Sequence, residues 1–184
     1  MIISLILKVA YFCLAAYLAN MSPVIIDKIG LFKFLKVPID SGRELWGRPI
    51  LGKGKTWRGI LTGVIVAIAV AGVQKLLFQY PQIQAISIVD FNEVNFLLFG
   101  FLAGLGAMVG DLIKSFIKRR INIASGKSWP IADQLDFILG FILFTYWLVY
   151  PSLEIIAVAC LLTLVLHPLT NIIGYLLKIK KVWW

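Results

Sequence analysis

Residues 95–150 read NFLLFGFLAGLGAMVGDLIKSFIKRRINIASGKSWPIADQLDFILGFILFTYWLVY. An apolar run covers 95–112, a basic polar stretch covers 113–133, and a second apolar run covers 134–150. A helix needs about 20 mostly apolar residues to cross a hydrocarbon core. Lipid cannot satisfy backbone N–H and C=O groups, so runs of this kind read as membrane-spanning helices. Asp111 ends the first run, and Asp133 and Asp136 begin the second. Between them lie Lys114, Lys118, Arg119, Arg120 and Lys127. Ionisable groups at such positions are costly and usually functional. Carboxylates beside a dense basic cluster suggest a divalent metal together with phosphate.

The rest of the chain extends this pattern. Of its 184 residues, 60% are hydrophobic and the mean hydropathy is +0.92. A soluble domain averages roughly 45–50% apolar. The composition excludes an ordinary soluble domain and indicates one membrane-embedded domain over 1–184. Five apolar runs predict an all-α fold of five transmembrane helices, over about 2–20, 59–78, 95–112, 134–150 and 153–177. The fourth is short and begins with charges, so its start is expected at the interface. The fifth is long and is expected to tilt or kink at Pro168. The first is read as a retained helix, because a signal peptide carries its positive charge ahead of the apolar core. Asn20, Ser22 and Pro23 are expected to close it.

Charge fixes an orientation. Apart from Lys8 and Lys75, every Lys and Arg falls in 21–58, in 113–133 or in the tail after 177. The alternate connections, 79–94 and 151–152, carry none. The positive-inside rule then puts the N-terminus outside, and both basic loops and the C-terminus in the cytoplasm. Trp183 and Trp184 read as an interfacial anchor. Cys13 and Cys160 sit in apolar runs as buried hydrophobes, with no disulfide framework. His167, without a His or Cys partner, reads as a helix-packing residue. Gly100 and Gly104 form a small-xxx-small pair for helix packing. Gly106 and Gly110 could admit a ligand or another backbone near Asp111.

Asp133 and Asp136 are three apart, on one face of the fourth helix if it starts near Ile131. In that first turn the helix dipole favours anions. With Asp111 they make a candidate Mg²⁺ site; the competing reading is salt bridging to Lys118, Arg119 or Arg120. The other basic loop, PIDSGRELWGRPILGKGKTWRG over 38–59, alternates glycines with Arg48, Lys53, Lys55 and Arg58. Exposed backbone N–H groups and basic side chains together suit a phosphate chain. The spacing is not that of a P-loop, and contact with anionic lipid is the alternative. No nucleic-acid partner is expected; membrane lipids are.

These motifs resemble the CDP-diacylglycerol synthases. GDLIKSFIKR over 110–119 is similar to their GD-x2-ES-x3-KR core, matching at Gly110, Asp111, Ser115, Lys118 and Arg119, with Lys114 where Glu is usual. Pro130 followed by Asp133-Gln-Leu-Asp136 resembles their proline-led D-R-x-D element, with Gln134 for Arg. Lys55-Thr56-Trp57-Arg58-Gly59 resembles KT-x-E-G, with Arg58 for Glu. The short chain and both loops look most like the archaeal branch, the CDP-archaeol synthases. That resemblance implies a Mg²⁺-dependent transfer from CTP to a membrane-embedded diether lipid phosphate, 2,3-bis-O-geranylgeranyl-sn-glycerol 1-phosphate. The products are unsaturated CDP-archaeol and pyrophosphate. The residues themselves fit that chemistry: Asp111, Asp133 and Asp136 are candidates for the metal, Lys53, Lys55 and Arg58 for the triphosphate and departing pyrophosphate, and Lys118 and Arg119 for the lipid phosphate; the last two assignments can be exchanged. Asn20, Thr56, Ser115 and the backbone at Gly110 are further substrate contacts. Alternatives are a CDP-diacylglycerol synthase acting on ester lipids and a small transporter. A CDP-alcohol phosphotransferase is disfavoured, because the chain lacks DG-x2-AR.

Overall fold

The computed structural model describes residues 2–180 and 182. The helices are α1 (Ile2–Ile29), α2 (Trp57–Leu77), a short α3 (Pro81–Ile86), α4 (Phe96–Arg120), α5 (Ala132–Val149) and α6 (Leu153–Leu176). All except α3 are long and apolar enough to cross a membrane. Apolar side chains such as Ile65, Leu143, Trp147, Leu161 and Val165 stay exposed on the outer faces. A helix that is apolar all round belongs in a membrane or a core, and here the outer faces meet lipid.

Small residues set the inner packing. Ala15, Ala16 and Ala19 of α1, Ala67 and Ala71 of α2, and Ala103 and Ala107 of α4 are fully buried. A Cβ on Gly100 would lie 2.6 Å from the Cα of Ile68, and one on Gly104 would lie 2.7 Å from the Cα of Val64. The small-xxx-small pair therefore seats α4 against α2, as expected. Phe12, Phe99, Phe137 and Phe141 fill the centre, with the Phe12 and Phe141 rings 4.9 Å apart. Interhelical hydrogen bonds add register: Tyr17 Oη lies 2.8 Å from Thr163 Oγ1, and Gln74 Nε2 donates to the Tyr11 carbonyl at 2.7 Å.

Two helix ends and two connections differ from expectation. α1 does not close at Pro23 but continues to Ile29. Proline lacks the N–H that would bond to Ala19 four residues back. The hydroxyl of Ser22 donates to that Ala19 carbonyl instead, at 2.9 Å, so the helix survives. α4 runs beyond residue 112 to Arg120, carrying Lys114, Lys118 and Arg119 on helix. The connection after α2 contains α3, with Pro81 in its first turn. The 38–59 loop also holds a two-stranded antiparallel pair, β1 (Glu44–Leu45) and β2 (Arg48–Pro49), a small departure from an all-helical chain. Trp183, Trp184 and Lys181 lie outside the described residues.

Candidate active site

The C-terminal ends of α1, α4 and α6 and the N-terminal ends of α2 and α5 border one cavity of about 1090 Å³. Asn20, Lys53, Lys55, Thr56, Arg58, Asp111, Ser115, Lys118, Arg119, Asp133 and Asp136 all line it. Gly110 does not; it serves the site from behind. A Cβ there would come within 2.1 Å of the Asp136 carbonyl oxygen, and one on Gly106 within 2.5 Å of the Gly140 carbonyl oxygen. These glycines admit another backbone, that of α5, which brings Asp136 beside Asp111.

The start of α5 is built locally. Ile131, at φ 69°, holds a backbone conformation unusual for a β-branched residue. No side chain caps this helix at Ile131. Trp129 and Asp133 bond reciprocally instead: Asp133 N–H donates to the Trp129 carbonyl at 2.9 Å, and Trp129 N–H donates to Asp133 Oδ2 at 2.6 Å. This resembles the logic of a capping box and fixes the Asp133 carboxylate.

The three carboxylates converge on one cation. Lys114 Nζ lies 3.0 Å from Asp111 Oδ1, 3.0 Å from Asp133 Oδ1 and 2.7 Å from Asp136 Oδ2. Lys55 pairs with the other oxygen of Asp111, and Lys118 Nζ donates to Asp133 Oδ1 at 3.0 Å and to the Lys127 carbonyl at 2.5 Å. Three acidic side chains thus meet three ammonium groups, and the Asp136 side chain is only 4% exposed. Charges removed from water need such pairing.

No set of three or more His, Cys, Asp or Glu side chains among the described residues forms a ready-made metal cage. The donor chemistry nonetheless suits a hard cation. Three anionic oxygens from two helices surround a single point within 3.0 Å, and a unit positive charge holds that point. Mg²⁺ takes oxygen ligands at about 2.0–2.1 Å, so its entry requires Lys114 to withdraw and the carboxylates to close in.

Other basic residues brace the loops. Arg119 donates to the carbonyls of Leu51 and Ile123, joining the two loops beneath Gly52. Arg58 pairs with Asp27 and donates to the Leu31 carbonyl at 3.1 Å; Lys36 reaches the same Asp27 at 2.8 Å. Thr56 caps α2, its hydroxyl accepting from Gly59 N–H at 3.3 Å. Asp40 organises the glycine-rich segment by accepting from the N–H groups of Leu51 at 2.8 Å, and of Gly52 and Gly42 at 3.0 Å each. Burial pushes its carboxyl up, but these backbone donors outweigh that and hold it below the usual carboxylate range.

Sequence reasoning missed several of these parts. Arg120, read as a topology signal, donates to the carbonyls of Leu45, Arg48 and Pro49 and lies 5.6 Å from the centroid of the Trp46 ring. Lys114 stood out as one of the basic cluster and as a departure from a motif, but not as the partner of all three carboxylates, although its spacing of three from Asp111 places both on one helix face. Asp27 and Asn171 carried no local signal, and Lys180 only its place in the basic tail; tertiary packing brings them to the cavity.

The CarS-like family model, described as CDP-archaeol synthase, matches residues 2–184. The chain belongs to the CDP-archaeol synthase family. It is 41% identical over 182 residues to the CDP-archaeol synthase of Methanopyrus kandleri, covering 96% of this chain and 92% of that one. It is 36% identical over 175 residues to that of Methanocaldococcus jannaschii, with 95% and 94% covered. The Archaeoglobus fulgidus CDP-archaeol synthase is 37% identical over 188 residues, with 99% of each covered. A solved structure described as "Structural insight into an intramembrane enzyme for archaeal membrane lipids biosynthesis" superposes with a TM-score of 0.72. It is 30% identical and covers 89% of this chain and 92% of its own. As a CDP-archaeol synthase family member, the chain is a multi-pass membrane enzyme of the cytidylyltransferase class.

Proposed function

We propose that this cavity transfers a cytidylyl group from CTP to a diether lipid phosphate, 2,3-bis-O-geranylgeranyl-sn-glycerol 1-phosphate, releasing pyrophosphate and unsaturated CDP-archaeol. The observation that carries this reading is the convergence of Asp111, Asp133 and Asp136 in a cavity shared with Lys53, Lys55, Arg58, Lys118 and Arg119. By the positive-inside rule the cavity faces the cytoplasm, where CTP is available, and the N-terminus lies outside.

An oxygen of the lipid phosphate attacks the α-phosphorus of CTP. A new P–O bond forms there, the bond from that phosphorus to the bridging oxygen breaks, and pyrophosphate leaves with the electron pair. A phosphate monoester is largely ionised at neutral pH, its second pKa being about 6, so no Ser or His nucleophile is required. The chain's task is positioning and charge stabilisation. Lys53, Lys55 and Arg58 attract the triphosphate. Lys118 and Arg119 face the lipid phosphate from the end of α4. Arginine has five N–H donors, so the carbonyl bonds of Arg119 leave others for a phosphate. Asp111, Asp133 and Asp136 would hold Mg²⁺, which when bound supplies neutralisation of phosphate oxygens. Asn20, Thr56 and Ser115 lie along the cavity wall as nucleotide contacts.

The test uses purified protein, CTP labelled at the α-phosphorus, Mg²⁺, and either diether or diester lipid phosphate. Label passing into the lipid extract with the diether substrate supports the reading. Preference for the diester would move the chain to ester-lipid synthesis, and nucleotide uptake into vesicles without turnover would favour a transporter.

A further inference from the structure

The C-terminal tail does more than mark the cytoplasmic side. After α6 the chain reverses at Lys178, whose φ of 57° is left-handed. The N–H groups of Ile179 and Lys180 both donate to the Gly174 carbonyl, at 2.8 and 3.0 Å. Gly174 leaves room for the returning strap, since a Cβ there would lie 3.3 Å from Lys180 Cγ. The Lys180 ammonium donates to Asn171 Oδ1 at 2.6 Å. Asn171 is buried, and its amide nitrogen lies 3.4 Å from His167 Nδ1. Both ends of the Asn171 amide are therefore committed, with oxygen toward Lys180 and nitrogen toward His167.

His167, Asn171 and Lys180 line the same cavity as Asp133 and Asp136. Five of the cations lining the cavity are already balanced: Lys55, Lys114, Lys118, Arg58 and Lys36 each meet a carboxylate. Lys180 is held by a neutral amide and meets no carboxylate among the described residues. Burial lowers its pKa below the usual lysine value, so the charged form carries a desolvation cost that an anionic ligand offsets. A fixed ammonium with no carboxylate partner among the described residues, lining this cavity, has the chemistry to take a phosphate oxygen.

We propose that Lys180, returned to the cavity by the C-terminal strap and held by Asn171, binds a phosphate group of one substrate. This rests on the proposed cytidylyl transfer. The phosphate belongs either to the CTP triphosphate or to the lipid monoester, and separate kinetic titrations distinguish them.

The experiment compares wild type, Lys180→Gln and Asn171→Asp, measuring KM for CTP and for the diether phosphate separately. Asn171→Asp keeps an acceptor for Lys180 and neutralises its charge but loses the amide contact to His167, so a thermal melt equal to wild type is required to show the strap intact. Both variants are expected to raise one KM roughly tenfold, with kcat within about twofold. A rise for CTP assigns the triphosphate, and a rise for the lipid assigns its monoester. Unchanged KM values in Asn171→Asp, or a fall confined to kcat, would overturn the proposal while leaving the cytidylyl-transfer reading intact. A wild type that consumes no CTP would overturn both.

Discussion

The ammonium of Lys114 lies 2.7 Å from Asp136 Oδ2, joining α4 to the first turns of α5 through a nearly buried pair. The same ammonium is bonded to Asp111 on its own helix and to Asp133 on the next. Lys114 thus holds together three carboxylates that would otherwise repel one another. Removing one member of a buried pair leaves an uncompensated charge and costs about 3–5 kcal/mol. Lys114→Met is therefore expected to lower the melting temperature of the purified protein. Millimolar Mg²⁺ should recover more stability in this variant than in wild type, because the metal takes over the vacated charge. Equal Mg²⁺ responses in both proteins would contradict this.

The approach of α4 to α5 depends on missing side chains. A Cβ on Gly110 would overlap the Asp136 carbonyl, and one on Gly140 would come within 2.1 Å of the Gly106 carbonyl oxygen. Gly110→Ala and Gly140→Ala should each destabilise the bundle and reduce turnover by displacing Asp136. Gly72→Ala is the control: its Cβ would meet only Phe96 at 3.5 Å. Alanine is favoured over glycine in a helix by about 1 kcal/mol, so thermal melts should show this variant equal to or above wild type.

Much of this organisation is legible in the sequence, and the boundary has physical causes. Five apolar runs and the sorting of Lys and Arg announce the bundle, because lipid tolerates little else. Asp111, Asp133 and Asp136 stand out because they interrupt apolar runs. The helix ends are less legible. Pro23 reads as a stop until the Ser22 hydroxyl is seen on the Ala19 carbonyl. The central place of Lys114 depends on the α4–α5 register, set by glycines whose partners lie about 30 residues away in sequence. Asn171 reaches the cavity on α6, and Lys180 only through a reversal at Lys178.

Asp40 gives the glycine-rich loop a pH dependence. Its folded pKa is depressed by backbone donors at Leu51, Gly52 and Gly42. The stabilisation is therefore fully present above the unfolded value of about 3.9. It is lost as pH falls through the lower folded value. Hydrogen exchange across 40–55, corrected for intrinsic rates, should stay slow at neutral pH and rise in that acidic range. Asp40→Asn should exchange fast already at neutral pH.

Orientation can be checked without activity. A cysteine placed at Asn92, beyond α3, should react with an impermeant thiol reagent added outside intact cells. One at Ser125, between α4 and α5, should react only after permeabilisation. The reverse pattern would invert the topology.

On the proposed reading, Asp111, Asp133 and Asp136 hold the metal for cytidylyl transfer. Its most direct test is Mg²⁺-dependent incorporation of labelled CTP into diether lipid by Asp133→Asn and Asp136→Asn, each shown by size exclusion and thermal melting to insert and fold. Both variants are expected to lose most turnover, on the order of a hundredfold or more if metal binding contributes several kcal/mol of transition-state stabilisation. Near-normal turnover in both folded variants would contradict it.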